Sequence, residues 1–191
     1  MKKNDCGWIC YLAGLLFILF FAGSCKKDNT DKDKTTFEIG QNYGGGIIFY
    51  VDDSKQHGLI CASNDQSASI PWWNGSNIVT NADGAEIGTG MANTLAIIAA
   101  QGDGDYAAKI CNDLVLNGYS DWFLPSKSEC ATMYFNLKIY RSIGNFADEL
   151  YWSSTEASSD NAYSQYSNDG YPPNGGYYKN ASYHVRAVRA F

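Results

Sequence analysis

The segment Pro125-Ser126-Lys127-Ser128-Glu129 constrains the folding of this chain more tightly than any other. Pro125 biases Leu124 towards extended geometry, because the proline ring clashes with a preceding helical residue. Ser126 and Glu129 have the spacing of a capping box. In that motif the hydroxyl accepts from the N–H three residues on, and the carboxylate accepts from the N–H of the cap. A helix is therefore predicted to open at Ser126, and Cys130, Met133, Tyr134 and Leu137 carry it on at helical spacing. Upstream, Ala107, Ile110, Cys111 and Leu114 mark an earlier helix. Asp103-Gly104-Asp105 is read as its N-cap and Asn117-Gly118 as its left-handed stop. The thirteen residues NGYSDWFLPSKSE thus lie between the end of one helix and the start of the next. They are predicted to brace a corner, with Trp122 and Leu124 in the core and Asp121 free to take an arginine. Arg186 and Arg189 are expected to pair with internal acids such as Asp121 or Glu156.

Strand signals flank this helical middle. Gly44-Gly45-Gly46 leads into Ile47-Ile48-Phe49-Tyr50-Val51, Asp52 to Gly58 has turn chemistry, and Leu59 to Ala62 returns as a hairpin partner. Ser63 to Glu86 lacks periodicity and reads as a long loop anchored by Trp72-Trp73. Met91 to Gln101 is apolar and alanine-rich, a further helix. Leu150 to Ser154, Ala162 to Ser167 and Tyr183 to Phe191 read as strands, with turns at Asn168-Asp169-Gly170 and around Pro172-Pro173. The order predicts an α+β domain of two to three helices and long loops, its terminal strands paired in one antiparallel sheet.

The N-terminus bears on location. Lys2 and Lys3 precede a nearly unbroken apolar run from Ile9 to Phe21, shorter than the about 20 residues needed to span a bilayer and suited to a secretory signal core. It ends in Ala22-Gly23-Ser24-Cys25, which resembles the lipobox of bacterial lipoproteins. That resemblance implies lipidation of Cys25, a durable membrane anchor of several acyl chains, and placement at the outer membrane, exposed at the cell surface. Lys26 to Thr36 is charged or small and polar throughout, and cannot bury enough surface to order itself. The division expected is 1–24 signal peptide, 25–36 lipidated cysteine and tether, and 37–191 folded domain.

That domain carries 16 acidic and 8 basic side chains, a formal charge of −8. Nucleic acid is thereby disfavoured as a partner, since its binding rests on phosphate neutralisation, and sulfated polysaccharide is disfavoured equally. Cys61, Cys111 and Cys130 remain in the domain. At most one disulfide can form among three, and the sequence does not choose the pair.

The set GGGIIFYVD, HGLICAS, GTGMANT, YAAKICNDL, GYSDWFLPSKSE, YWSSTE and VRAVRAF resembles the Lcl C-terminal domain family of bacterial surface domains, over nearly all of 37–191. The resemblance implies a C-type-lectin-like fold, surface exposure, and adhesion or glycan binding. It names no ligand. The motifs through which C-type lectins hold sugar on calcium, a Glu-Pro-Asn-like loop and a Trp-Asn-Asp strand, are not present; Trp73-Asn74-Gly75 lacks the acid. No metal or cofactor is expected, and Asp103 and Asp105 are assigned to helix capping.

Ligand contacts are expected from aromatic and amide side chains in or beside the polar loops: Trp72, Trp73, Asn74, Tyr163, Tyr166, Asn168, Asp169 and Tyr171, with Tyr177 and Tyr178 nearby. Flat rings stack on sugar faces and bring contact area at low entropic cost. For Trp72 and Trp73 a second reading stands equally, as plugs of the core beneath the long loop. Catalysis is not expected. His57 and His184 are the only histidines, no nucleophile motif accompanies them, and Glu129 is assigned to the capping box. Formylglycine-generating enzymes share a Leu-Pro-x-x-x-Glu corner but need a reactive cysteine pair near the C-terminus, and no cysteine follows Cys130. The reading is a lipid-anchored surface domain that binds a glycan or protein ligand. The alternative is a structural or assembly subunit of an envelope complex.

Overall fold

The computed structural model describes residues 36–166 and 176–191. The chain separates into two units, Met1–Lys34 and Thr35–Phe191, and all described residues belong to the second. No helix among them is long and apolar enough to cross a membrane.

The architecture is α+β, built on two sheets. The first contains β1 (Asn42–Tyr43), β2 (Gly46–Val51), β3 (Gly58–Cys61) and β9 (Val188–Ala190), in the order β1-β2-β3-β9 and antiparallel throughout. The predicted hairpin is β2–β3. Ile47 pairs with Cys61 and Val51 with Gly58, and the register shifts between Ile48 and Tyr50. Asp52 N–H donates to the His57 carbonyl at 2.9 Å across the turn. The last strand closes on β3, so both ends of the domain meet in one antiparallel sheet.

The second sheet contains β4 (Ser67–Pro71), β5 (Leu150–Glu156), β6 (Asn161–Tyr166), β7 (Tyr177–Tyr178) and β8 (Ser182–Val185), in the order β4-β8-β5-β6-β7. Its β5–β8 pair is parallel and the others antiparallel. Tyr151 through Thr155 of β5 are all buried, as befits a central strand covered by helices. Strand β4 lies inside the stretch read as a loop. Only Ile70 of Ser67–Ile70 is buried and the register shifts there, so an edge strand with one buried apolar residue leaves no alternating pattern.

Tyr183 to Phe191 is not one strand. It crosses from β8 in one sheet to β9 in the other through Arg186 and Ala187. The cause is Arg186, buried yet charged. Its guanidinium leaves the ladder to donate to Asp65 Oδ1 at 2.6 Å, the Ala62 carbonyl at 3.0 Å and the Gly144 carbonyl at 2.6 Å. A buried cation needs such partners.

The helices are α1 (Gly90–Gln101), α2 (Ala107–Asn112) and α3 (Lys127–Met133), the last running on into a π-helical turn, Tyr134–Ile139. Two expectations change here. Neither Asp103 nor Asp105 caps α2: the cap residue is Tyr106 and makes no side-chain capping bond, while the exposed Asp103 lies 3.9 Å from Lys109. The helix also ends at Asn112, so Asn117-Gly118 does not terminate it. Those two residues have φ of 53° and 83° and make the turn that joins Leu116 to Tyr119.

The core has two clusters. One gathers Trp72, Tyr106, Trp122, Leu124 and Trp152 between α1, α2 and the second sheet; the other gathers Phe49, Leu59, Phe123, Leu137 and Val188 under the first. Each buried indole N–H finds a carbonyl: Trp72 to Ser153 at 2.8 Å, Trp152 to Ile70 at 3.0 Å, Trp122 to Tyr119 at 3.2 Å.

Candidate functional site

The corner forms as its sequence dictates. Ser126 Oγ accepts from Glu129 N–H at 3.3 Å, and Glu129 Oε2 accepts from Ser126 N–H at 2.7 Å. Trp122 is 1 % exposed, which places it in the core rather than in a cleft. Glu129 also accepts from Gly88 N–H at 2.7 Å, so one buried carboxylate ties the start of α3 to the loop before α1. Burial raises its pKa, against the pull of these N–H donors. Gly90 makes the approach possible: a Cβ there would stand 2.2 Å from Glu129 Oε2. Asp121 accepts from Arg189 Nε at 2.7 Å and Nη2 at 2.8 Å, a two-pronged bond that holds its carboxyl below the usual range.

Arg186 takes a partner outside the two expected. Asp65 receives the Arg186 guanidinium, the Tyr151 hydroxyl at 2.9 Å and the ring of His184, Nδ1 at 2.8 Å. Glu156 pairs instead with the buried Lys179 ammonium and accepts from the backbone N–H of Thr80 and Asn81. Lys179 also donates to the Ile78 and Ser159 carbonyls and lies 4.7 Å over the Trp72 ring. This pair clamps the long loop down onto Trp72.

The residues expected to bind a ligand are placed as follows. Trp72 is fully buried and is a core plug. Trp73 is half-buried against the same cluster. Asn74 is exposed, but its amide donates to the Gln101 carbonyl at 3.2 Å and the Asp103 carbonyl at 2.5 Å, holding the loop to the end of α1. Tyr163 is half-buried, with the Lys127 ammonium 4.1 Å over its ring. Tyr166 ends β6, and Asn168, Asp169 and Tyr171 lie outside the described residues. Tyr178 is exposed, while Tyr177 packs edge-on to Tyr183.

One histidine ring and all three thiols are confined, while the His57 ring is exposed. His184 is tied to Asp65, and His57 closes the β2–β3 turn through its carbonyl. Cys61, Cys111 and Cys130 are free thiols, all buried. Burial pushes Cys61 up to about 12 and raises the other two as well, which removes the thiolate that reactivity requires. Among the described residues, no cluster of three or more His, Cys, Asp or Glu is placed to hold a metal ion.

What the fold does assemble is a two-lobed groove over the glycine turn between β1 and β2. One lobe, about 530 Å³, is lined by Asn64, Asp65, Gln66, Ile110, Leu114 and Leu116. The other, about 360 Å³, is lined by Asn42, Tyr43 and Gly44–Gly46. Ser63 and Asn117 border both, so the lobes are continuous. Gly45, at φ 92°, is the floor. A Cβ there would press at 3.1 Å on both Asn117 and the Tyr119 ring. Asn117 donates to the Gly45 carbonyl at 2.8 Å and Arg189 to the Gly44 carbonyl at 3.1 Å, which fixes the turn. The side chains of Asn42, Ser63 and Asn64 make no hydrogen bond to any described residue, and Asn42 and Asn64 are exposed.

A slightly larger depression, about 570 Å³, adjoins the π-helical turn, but its two charged lining residues, Lys138 and Asp148, pair with each other. Of the groove's polar residues the sequence singles out only Asn117, and as a helix stop rather than a ligand contact. The Gly-Gly-Gly turn was the one local signal, since consecutive glycines mark close backbone approach. Comparison with known proteins returns no matching family model and no similar curated protein.

Proposed function

We propose that this chain is a lipid-anchored, non-catalytic surface domain of the Lcl C-terminal kind, with a C-type-lectin-like architecture. It binds a glycan in the groove over Gly44–Gly46. The observation that carries this reading is the contrast in hydrogen bonding. Nearly all the polar side chains at the corner, the Lys179–Glu156 clamp and the Asp65 node are committed internally, whereas Asn42, Ser63 and Asn64 face an open groove uncommitted. Amide and hydroxyl groups both donate and accept, as sugar hydroxyls do. Tyr43 and Tyr119, 43 % and 37 % exposed, stand beside the groove, the first packed on Phe37 and Phe191 and the second under Arg189.

In this reading Cys25 carries the lipid, the anchor is the only membrane contact, and the domain acts outside the outer membrane. The test is retention of the full-length protein, in detergent micelles, on an immobilised panel of glycans. Asn42→Ala and Asn64→Ala are expected to weaken retention. Loss of all glycan retention in the wild type, together with one protein co-purifying at fixed stoichiometry, would instead establish an assembly subunit.

A further inference from the structure

We infer that the groove selects uncharged glycans over sulfated and uronic-acid chains, because no cation among the described residues is available to it. This rests on the reading of the groove as a glycan site. Among the described residues, no Lys, Arg or His lines either lobe. The two nearest guanidinium groups are already engaged. Arg189, which reaches the Gly44 carbonyl, is held by both oxygens of Asp121 and lies 3.9 Å over the Tyr119 ring. Arg186 is buried behind Asp65 with carbonyls on its remaining donors. A sulfate or carboxylate held in the groove would meet no counter-charge, so whatever hydration it gave up there would go unrepaid. The domain's charge of −8 adds long-range repulsion.

Cationic ligands gain nothing specific either. The groove's one carboxylate, Asp65, already receives Arg186, Tyr151 and His184. What remains is a neutral wall. Ile110, Leu114 and Leu116 present an apolar side, and Asn42, Ser63 and Asn64 present donors and acceptors. Each lobe has the size of a small-molecule pocket, so a ligand that fills both is an oligosaccharide lying along the turn.

The experiment measures binding of the full-length protein in detergent micelles to neutral oligosaccharides and to the sulfated and uronate forms of the same backbones. Binding is read from about 50 to about 500 mM NaCl, a range over which screening changes strongly. The expected result is binding to neutral chains only, with less than about a twofold change across that range. Asn42→Ala and Asn64→Ala are each expected to lower affinity by about three- to tenfold, with unchanged thermal stability. Asn64→Lys is expected to admit the sulfated form at low salt. Tighter binding of sulfated chains by the wild type, lost in Asn42→Ala, would overturn the charge inference and leave the groove reading standing. Failure of Asn64→Lys to gain sulfated binding would also count against charge as the selector. Neutral binding indifferent to Asn42→Ala and Asn64→Ala would overturn the groove reading itself.

Discussion

The corner from Asn117 to Glu129 and the groove over Gly44–Gly46 meet at Asn117 and Tyr119, yet they treat their polar groups in opposite ways. In the corner, Asp121, Ser126 and Glu129 are all committed to partners inside the fold. In the groove, Asp65, Gln66 and Asn117 are committed too, but Asn42, Ser63 and Asn64 are committed to none among the described residues. Both regions are rich in aromatic, amide and acidic residues, so composition does not separate them. What separates them is satisfaction: a buried polar group must find its partner within the protein, and only an exposed one is free for a ligand. Stability should therefore fall most where a buried committed group is substituted and hardly respond where an exposed uncommitted one is.

The largest effect is expected at the loop clamp, where a buried ammonium and a nearly buried carboxylate neutralise each other. Lys179→Met strands the Glu156 carboxylate, whose side chain is 6 % exposed. Breaking a buried pair on one side costs about 3–5 kcal/mol, to be read from urea unfolding. Adding Glu156→Gln should recover part of the loss, because the stranded group is then neutral. If Lys179→Met is tolerated within about 1 kcal/mol, the pair is a surface-like bridge and the loop above Trp72 is not clamped.

Next in size is Glu129→Ala. It removes the acceptor for Ser126 N–H and Gly88 N–H together and opens a void beside Gly90. A loss of about 3 kcal/mol is expected from the missing cap and the unsatisfied donors. The pH dependence sharpens the contrast with Asp121. Burial holds Glu129 above its ordinary value of 4.5. The folded state therefore favours its protonated form, and its contribution to stability is full below that value and falls as pH rises through the raised one. Relative to Glu129→Gln, the wild type should lose stability as pH climbs from about 4 towards neutrality. Arg189 holds Asp121 below its ordinary 3.8, so that contribution is present above 3.8 and lost as pH falls. Unfolding free energies of wild type, Glu129→Gln and Asp121→Asn, measured from well below pH 3.8 up to neutrality, should show the two opposite slopes, that of Asp121 below 3.8 and that of Glu129 above 4.5. A common slope would break the assignment.

Asp121→Asn at neutral pH ranks below these. The Asp121 side chain is half-exposed, and solvent screens its bond to Arg189. About 1 kcal/mol or less is expected, as a small fall in midpoint on thermal unfolding.

These two regions also show what sequence reading can reach. The capping box, the burial of Trp122 and the pairing of Asp121 with an arginine were legible because each follows from residues a few positions apart or from one charge needing another. The β2–β3 hairpin and the α+β order were legible from periodicity. Trp72 was not resolvable in advance, since a tryptophan in a polar loop fits a plug or a platform until Ser153 and Lys179 are seen against it. The split of Tyr183 to Phe191 was hidden because alternation continues through Arg186, and only the depth of Asp65 explains why the chain leaves the ladder there. Asn117-Gly118 was read correctly as left-handed backbone but assigned to a helix that had already ended at Asn112. The groove was hidden most deeply. Its residues come from β1, the segment after β3 and the turn at Asn117, and no local pattern joins them.

The smallest expected effect is the most discriminating. Asn42 and Asn64 are exposed and make no hydrogen bond to a described residue, so Asn42→Ala and Asn64→Ala should each change stability by less than about 0.5 kcal/mol. Chemical unfolding of both variants checks this directly. Asn117→Ala, on the same rim, serves as the internal contrast. It loses the bond to the Gly45 carbonyl and replaces a residue at φ 53° with one that tolerates that conformation less well. About 1–2 kcal/mol should follow from those two losses together. If Asn42 and Asn64 destabilise as much as Asn117, they hold the fold, and the distinction between corner and groove disappears. If they are silent in stability and decisive in binding, then two side chains drawn from separate stretches of chain have been left unpaired for a ligand.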